Sequence, residues 1–105
     1  MVKGIGVDIC DLRRIKNSDA LAKRILHDDE YLLYQSKVNH RQKIEFLAGR
    51  FAVKEAFIKA YKRLLLKDIC CLNDTDGKPY IKGYNCHVSI SHEKHYVVAF
   101  VVLDE

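Results

Sequence analysis

A chain of 105 residues bounds one small domain with one core. With 49 % hydrophobic and 30 % charged residues, one proline and five glycines, it reads as globular and soluble, with no low-complexity linker and no solenoid repeat. No apolar run approaches the ~20 residues of a membrane span, and MVKGIGVDIC has no long apolar segment of the signal-peptide kind. The expected compartment is therefore the cytoplasm, and the net charge of +4 favours an acidic partner.

The chain opens on KGIGVDI, residues 3 to 9, which reads as a strand. Ile5, Val7 and Ile9 point one way and Gly4, Gly6 and Asp8 the other. The second face is nearly bare, so another backbone or a ligand must approach it closely. The alternative is a bulge with Asp8 capping the next turn. Residues 11 to 36 hold short helical patterns, with Ser18 and Asp28 as N-caps. The basic excess collects here, as Arg13, Arg14, Lys16, Lys23 and Arg24 against Asp11 and Asp19.

A long helix follows over roughly residues 40 to 65, long enough at ~1.5 Å per residue to cross the whole domain. Asn39 and Gln42 resemble a capping box. Ile44, Leu47, Ala48, Phe51 and Ile58 form one apolar stripe, and Phe46, Val53, Phe57, Ala60 and Leu64 a second, so the helix is expected to be buried on more than one side. Gly49 costs about 1 kcal/mol relative to alanine and reads as a close crossing of another element. Glu55 falls within the first stripe, where an ionised carboxylate is costly unless something positive meets it.

The rest is β-rich. Residues 68 to 72, 80 to 82 and 87 to 91 read as strands, NDTDGKP as a turn, and YVVAFVVL as the most buried strand. The expected fold class is α+β: a long central helix and short helices packed on a mostly antiparallel sheet, residues 1 to 105 forming a single domain. Cys10, Cys70, Cys71 and Cys86 are expected to be free thiols. Zinc is disfavoured, because there is no CxxC pair and His87, His92 and His95 lack partners at ligand spacing.

Three stretches, GIGVDICDLRRI (4 to 15), EFLAGRFAVKEAFIKA (45 to 60) and HVSISHE (87 to 93), with DGKPYI (76 to 81), together resemble the small bacterial holo-acyl-carrier-protein synthases, a class of 4′-phosphopantetheinyl transferases. The resemblance implies the corresponding transferase fold and transfer of the 4′-phosphopantetheine arm of coenzyme A onto a serine of apo acyl carrier protein in fatty acid biosynthesis. Adenosine 3′,5′-bisphosphate is the second product. It implies Mg2+, with Mn2+ as a substitute, held by Asp8 and Glu55, and these two with Lys59 as the catalytic set. Lys59, Arg50 and His92 are implied to meet coenzyme A. Arg14, with Arg13 or Arg24, is expected to dock the acidic carrier. The resemblance also implies a homotrimer with active sites between subunits. Asp8, Glu55 or a metal-bound water could take the serine proton.

The family's glycine-containing loop after the KEA helix is replaced here by AYKRLLLKDICCL, where Lys62 and Arg63 offer side-chain charge instead. Two rival readings follow from the residues. One is a basic nucleic-acid module built on Tyr61, Lys62, Arg63, Tyr80, Lys82 and Tyr84, which leaves Asp8 and Glu55 unexplained. The other is a degenerate relative that docks the carrier protein without catalysis.

Overall fold

A computed structural model describes all 105 residues. Strand β1 (Val2–Asp11) leads through a 3-10 turn (Leu12–Arg14) to helices α1 (Ser18–Ile25), α2 (Asp28–Ser36) and α3 (His40–Ala60). A second 3-10 turn (Leu66–Asp68) precedes β2 (Cys71–Asn73), β3 (Pro79–Ile81), β4 (Cys86–His92) and β5 (Tyr96–Asp104). All pairings are antiparallel: a three-stranded sheet in the order β1-β5-β4, and a separate β2-β3 pair. This is the expected α+β layering of helices on an antiparallel sheet.

The sheet has two unlike faces. On one, Val97, Ala99, Val101 and Leu103 of β5 are buried against Ala48, Ala52, Val53, Ala56 and Phe57 of α3. Gly4, Gly6 and Asp8 pair with Leu103, Val101 and Ala99, so they share this face. What approaches the bare strand face is therefore the backbone of α3. A Cβ at Gly4 would collide with the carbonyl of Ala60, and one at Gly6 with that of Ala56. Asp8 does not cap the next turn; Asp11 does, accepting the Arg13 amide at 3.0 Å.

The other face carries Ile5, Val7 and Ile9, exposed by 60, 49 and 61 %, with Phe100 opposite Val7 exposed by 44 %. Ser89 and Ser91 lie beside Phe100 and Val98 on that same face. A contiguous apolar sheet surface of this kind is unusual in a lone domain.

Helix boundaries shift by one residue from the expected caps. Asn17 caps α1, accepting the Ala20 amide, and His27 caps α2, accepting the Asp29 amide. Ser18 and Asp28 are the first helical residues instead. α3 starts at Asn39 as expected, but the Gln42 side chain bonds the Val38 amide rather than that of Asn39. It ends at Ala60, about 31 Å long at ~1.5 Å per residue, because Tyr61 leaves helical geometry. There the Tyr61 ring joins Phe57 and Tyr84 in an aromatic cluster with centroids 4.8 to 5.8 Å apart. The strand expected over residues 68 to 72 begins only at Cys71. All four cysteines are free thiols.

No element crosses Gly49: a Cβ there would meet nothing within 4 Å. The glycine instead opens a cavity beside α3.

Candidate functional site

Two groups of charged residues emerge from this architecture. The first lies along the seam between β1 and α3. Because Gly4 abuts Ala60 and Gly6 abuts Ala56, β1 runs antiparallel to the helix. The Lys59 ammonium reaches back one turn, donating to the Val7 carbonyl at 2.9 Å and to the Asp8 carboxylate at 3.2 Å. Asp8 is largely shielded, its side chain 19 % exposed, whereas Lys59 is 55 % exposed. Glu55 sits four residues before Lys59 on the same helical strip and is half-buried. It forms no ion pair with Lys59; the lysine's partner is Asp8.

The second group lines a cavity of about 540 Å³ between α3, the β2-β3 turn and β4. Arg50, His92, Glu45, Phe46 and Asn73 contribute to its wall, and Gly49 opens it. Arg50 is 5 % exposed. Its Nε donates to the Cys71 carbonyl at 3.1 Å, a second nitrogen donates to Asn73 Oδ1, and its guanidinium stacks 4.4 Å over the Phe46 ring. Planar charge held this firmly is preorganised for phosphate or another anion. His92 faces Glu45 at 3.8 Å, and Glu45 accepts from Arg41 at 3.0 Å.

The expected site residues thus separate into two sets in one chain. Asp8 and Lys59 meet at the seam, while Glu55, on the same helical strip as Lys59, makes no hydrogen bond or ion pair with either; Arg50 and His92 share the cavity, whose lining includes none of these three. The basic residues form a third region. Arg14 and Arg24 border a groove lined by Ile9, Ile15, Leu21 and Phe51. Arg13 is occupied elsewhere: it forks onto both Asp11 oxygens at 3.0 Å and donates to the Tyr96 hydroxyl. That pairing holds the Asp11 carboxyl below the ordinary carboxylate range and raises the Arg13 guanidinium.

Sequence reasoning missed the most deeply buried charges. Lys54 and Glu30 are both fully buried and paired. The Lys54 ammonium donates to the carbonyls of Ile25 at 2.6 Å and Leu66 at 2.9 Å as well as to Glu30. Glu30 accepts the amides of His27 and Cys71 at 2.8 and 2.9 Å. This pair ties α1, α2, α3 and β2 together immediately beside Glu55. A carboxylate three residues after the α2 cap was a visible signal; its pairing with a lysine on α3 was not.

A family model described as the 4′-phosphopantetheinyl transferase superfamily matches residues 4–101. The chain belongs to that superfamily. It is 47 % identical to the holo-[acyl-carrier-protein] synthase of Staphylococcus saprophyticus, covering 99 % of each chain. The crystal structure of a holo-(acyl-carrier-protein) synthase from Bacillus anthracis in complex with CoA (3′,5′-ADP) superimposes with a TM-score of 0.86 at 41 % identity, covering 98 % of this chain and 96 % of that one. The synthase of Neisseria meningitidis gives 0.87 at 34 % identity over the whole of both chains. This transferase is an enzyme of the phosphopantetheinyl transferase class. Tyr61 and Tyr84, candidates for stacking bases, pack against Phe57 and each other instead.

Proposed function

We propose that the transferase moves 4′-phosphopantetheine from coenzyme A to a serine hydroxyl of apo acyl carrier protein, releasing adenosine 3′,5′-bisphosphate, with Mg2+ as cofactor. The observation that supports this reading is the Asp8–Lys59 pair at the seam, with Glu55, which forms no ion pair, one turn before Lys59 on the same helix. Two carboxylates without sulfur or nitrogen donors suit a hard cation, Mg2+ or Mn2+. Glu55 forms no ion pair, so its charge is available to such a cation. The donor set fits: Asp8 and Glu55 would hold the metal, which when bound would neutralise pyrophosphate oxygens.

The chain's own residues supply the rest. The Lys59 ammonium, anchored on the Val7 carbonyl, would stabilise charge on the departing bisphosphate. Arg50, fixed by Cys71, Asn73 and Phe46, offers its charge to a phosphate in the cavity, and His92 offers a ring nitrogen at the same wall. The serine proton would go to Asp8, to Glu55 or to a metal-bound water. Arg14 and Arg24 flank an apolar groove that suits an acidic, amphipathic helix of the carrier, whereas Arg13 is held by Asp11.

One chain holds the seam and the cavity apart, and the apolar face of Ile5, Val7, Ile9 and Phe100 adjoins the seam strand. Both features support a homotrimer in which one copy's seam meets another's cavity. No helix of the chain is long and apolar enough to cross a membrane. A bacterial carrier-modifying enzyme of this kind suits the cytoplasm.

The deciding experiment is mass spectrometry of apo carrier protein incubated with coenzyme A, Mg2+ and the transferase. The phosphopantetheine mass increment on serine is expected. Its absence, with carrier still bound, would leave the degenerate-relative reading.

A further inference from the structure

A third cluster lies outside both parts of the site. One ring nitrogen of His27, a carboxylate oxygen of Asp29 and Sγ of Cys70 all lie within 4.8 Å of one another. They come from three places in the fold: the cap of α2, its first turn, and the residue just before β2. We propose that His27, Asp29 and Cys70 bind a borderline-soft divalent cation of the zinc class, clamping the start of α2 to the β2 strand.

The chemistry of the donors carries this. One nitrogen, one oxygen and one sulfur form a mixed set that Zn2+ accepts at about 2.0 to 2.3 Å, with a fourth position left for water. Ligand atoms already within 4.8 Å of one another need only small side-chain movements to reach tetrahedral spacing. Mg2+ would gain little here, since thiolate and imidazole suit softer ions. The site is separate from Asp8 and Glu55, which present oxygen alone.

The surroundings are suitably negative. Asp28, Asp29 and Glu30 occupy the first turn of α2 and offset the positive helix terminus. Glu30 itself is committed to Lys54 and the amides of His27 and Cys71, so it is not a ligand. The competing cation is Lys82, 4.0 Å from Asp29 and 65 % exposed, which can swing into solvent. His27 Nδ1 accepts the Asp29 amide at 3.1 Å, so that nitrogen carries a lone pair rather than a proton. Coordination through Nδ1 would trade away this cap; coordination through the other nitrogen would keep it.

The test is equilibrium binding of Zn2+ to the full-length transferase in excess Mg2+, with Co2+ as the spectroscopic substitute. One zinc per chain is expected. Co2+ should add a thiolate-to-cobalt absorption band, and Zn2+ should raise the melting midpoint by about 5 °C at high occupancy. Cys70→Ser should abolish the band, and His27→Asn, which keeps a capping side chain, should weaken zinc at least about tenfold. Asp8→Asn and Cys10→Ser should leave both readouts intact. The proposal is overturned if micromolar zinc does not bind, if the band survives in Cys70→Ser, or if Asp8→Asn is the variant that loses zinc.

Discussion

Replacing Lys54 with methionine tests the buried charge hub most directly. Methionine nearly preserves the length of the side chain but removes the ammonium and its bonds to Ile25, Leu66 and Glu30. Burial already pulls the Lys54 ammonium below its ordinary value, with Glu30 pulling the other way. Without the lysine, Glu30 is a fully buried carboxylate left only with the His27 and Cys71 amides. Breaking one side of such a pair costs about 3 to 5 kcal/mol, a large part of the 5 to 15 kcal/mol that holds a domain folded. At about 4 °C per kcal/mol for a domain of this size, the melting midpoint should fall by roughly 12 to 20 °C. Adding Glu30→Gln removes the orphaned charge while leaving an acceptor for one amide. The double variant should recover about 1 to 2 kcal/mol relative to the sum of the singles. Urea unfolding followed by circular dichroism measures all four corners of this cycle. A loss below about 1 kcal/mol for Lys54→Met, or strict additivity, would refute the hub.

Asp8→Asn and Glu55→Gln should each remove most turnover while leaving urea midpoints near wild type; an unfolded Glu55→Gln would make that residue structural instead. A chelator should likewise abolish turnover, with Mg2+ or Mn2+ restoring it. Gly6→Ala must push β1 off the Ala56 carbonyl, so it should cost at least about 1 to 3 kcal/mol by urea unfolding; an unchanged midpoint would contradict the close approach. Burial pushes the Cys71 thiol up to about 11 from 9.0. Between these values the unfolded chain has lost a proton that the folded one keeps, so stability should fall with rising pH, by up to about 3 kcal/mol. Cys71→Val should flatten that part of the profile, and an identical profile would rule the thiol out. Phe100→Asp should split the proposed trimer in sedimentation and abolish transfer without touching any charged site residue; a fully active monomer would place the whole site within one chain. Arg14→Glu should raise the Michaelis constant for carrier protein, and less so that for coenzyme A, in a salt-dependent way; an unchanged carrier constant would move docking elsewhere.

What the sequence made legible follows from the range of each interaction. The alternation of β1, the start of α3, and the buried β5 are local patterns, and each appears within a residue or two of its expected place; α3 stops at Ala60 rather than near residue 65 because Tyr61 turns away into the aromatic cluster with Phe57 and Tyr84. Asp8 and Glu55 drew notice as local contradictions, a bare strand face and a charge in an apolar stripe; the bare face is met by the α3 backbone and Glu55 is half-buried without an ion-pair partner, while the role of Lys59 followed from the family resemblance. Gly49 shows the limit of that logic. A glycine within a helix signals a missing side chain, but a crossing element and an open cavity leave the same mark in the sequence, and here the space is open.

Lys54 and Glu55 show why the remainder was hidden. They are neighbours, yet a helix turns about 100° per residue, so they face different surroundings. Glu55 drew notice by its place in an apolar stripe, but the structure leaves it only half-buried. Lys54 carries no such local mark and is the one fully buried, paired with a partner 24 residues away on another helix. Long-range pairing of this kind leaves no periodic trace. It follows that the site's electrostatics rest on contacts unreadable from its own motif. The helix that carries Glu55 and presents Lys59 to β1 is clamped by Lys54 and Glu30, and the same α2 terminus that supplies Glu30 supplies His27 and Asp29. Occupancy of that terminus by a cation would therefore bear on the clamp, and through it on the helix that carries the site.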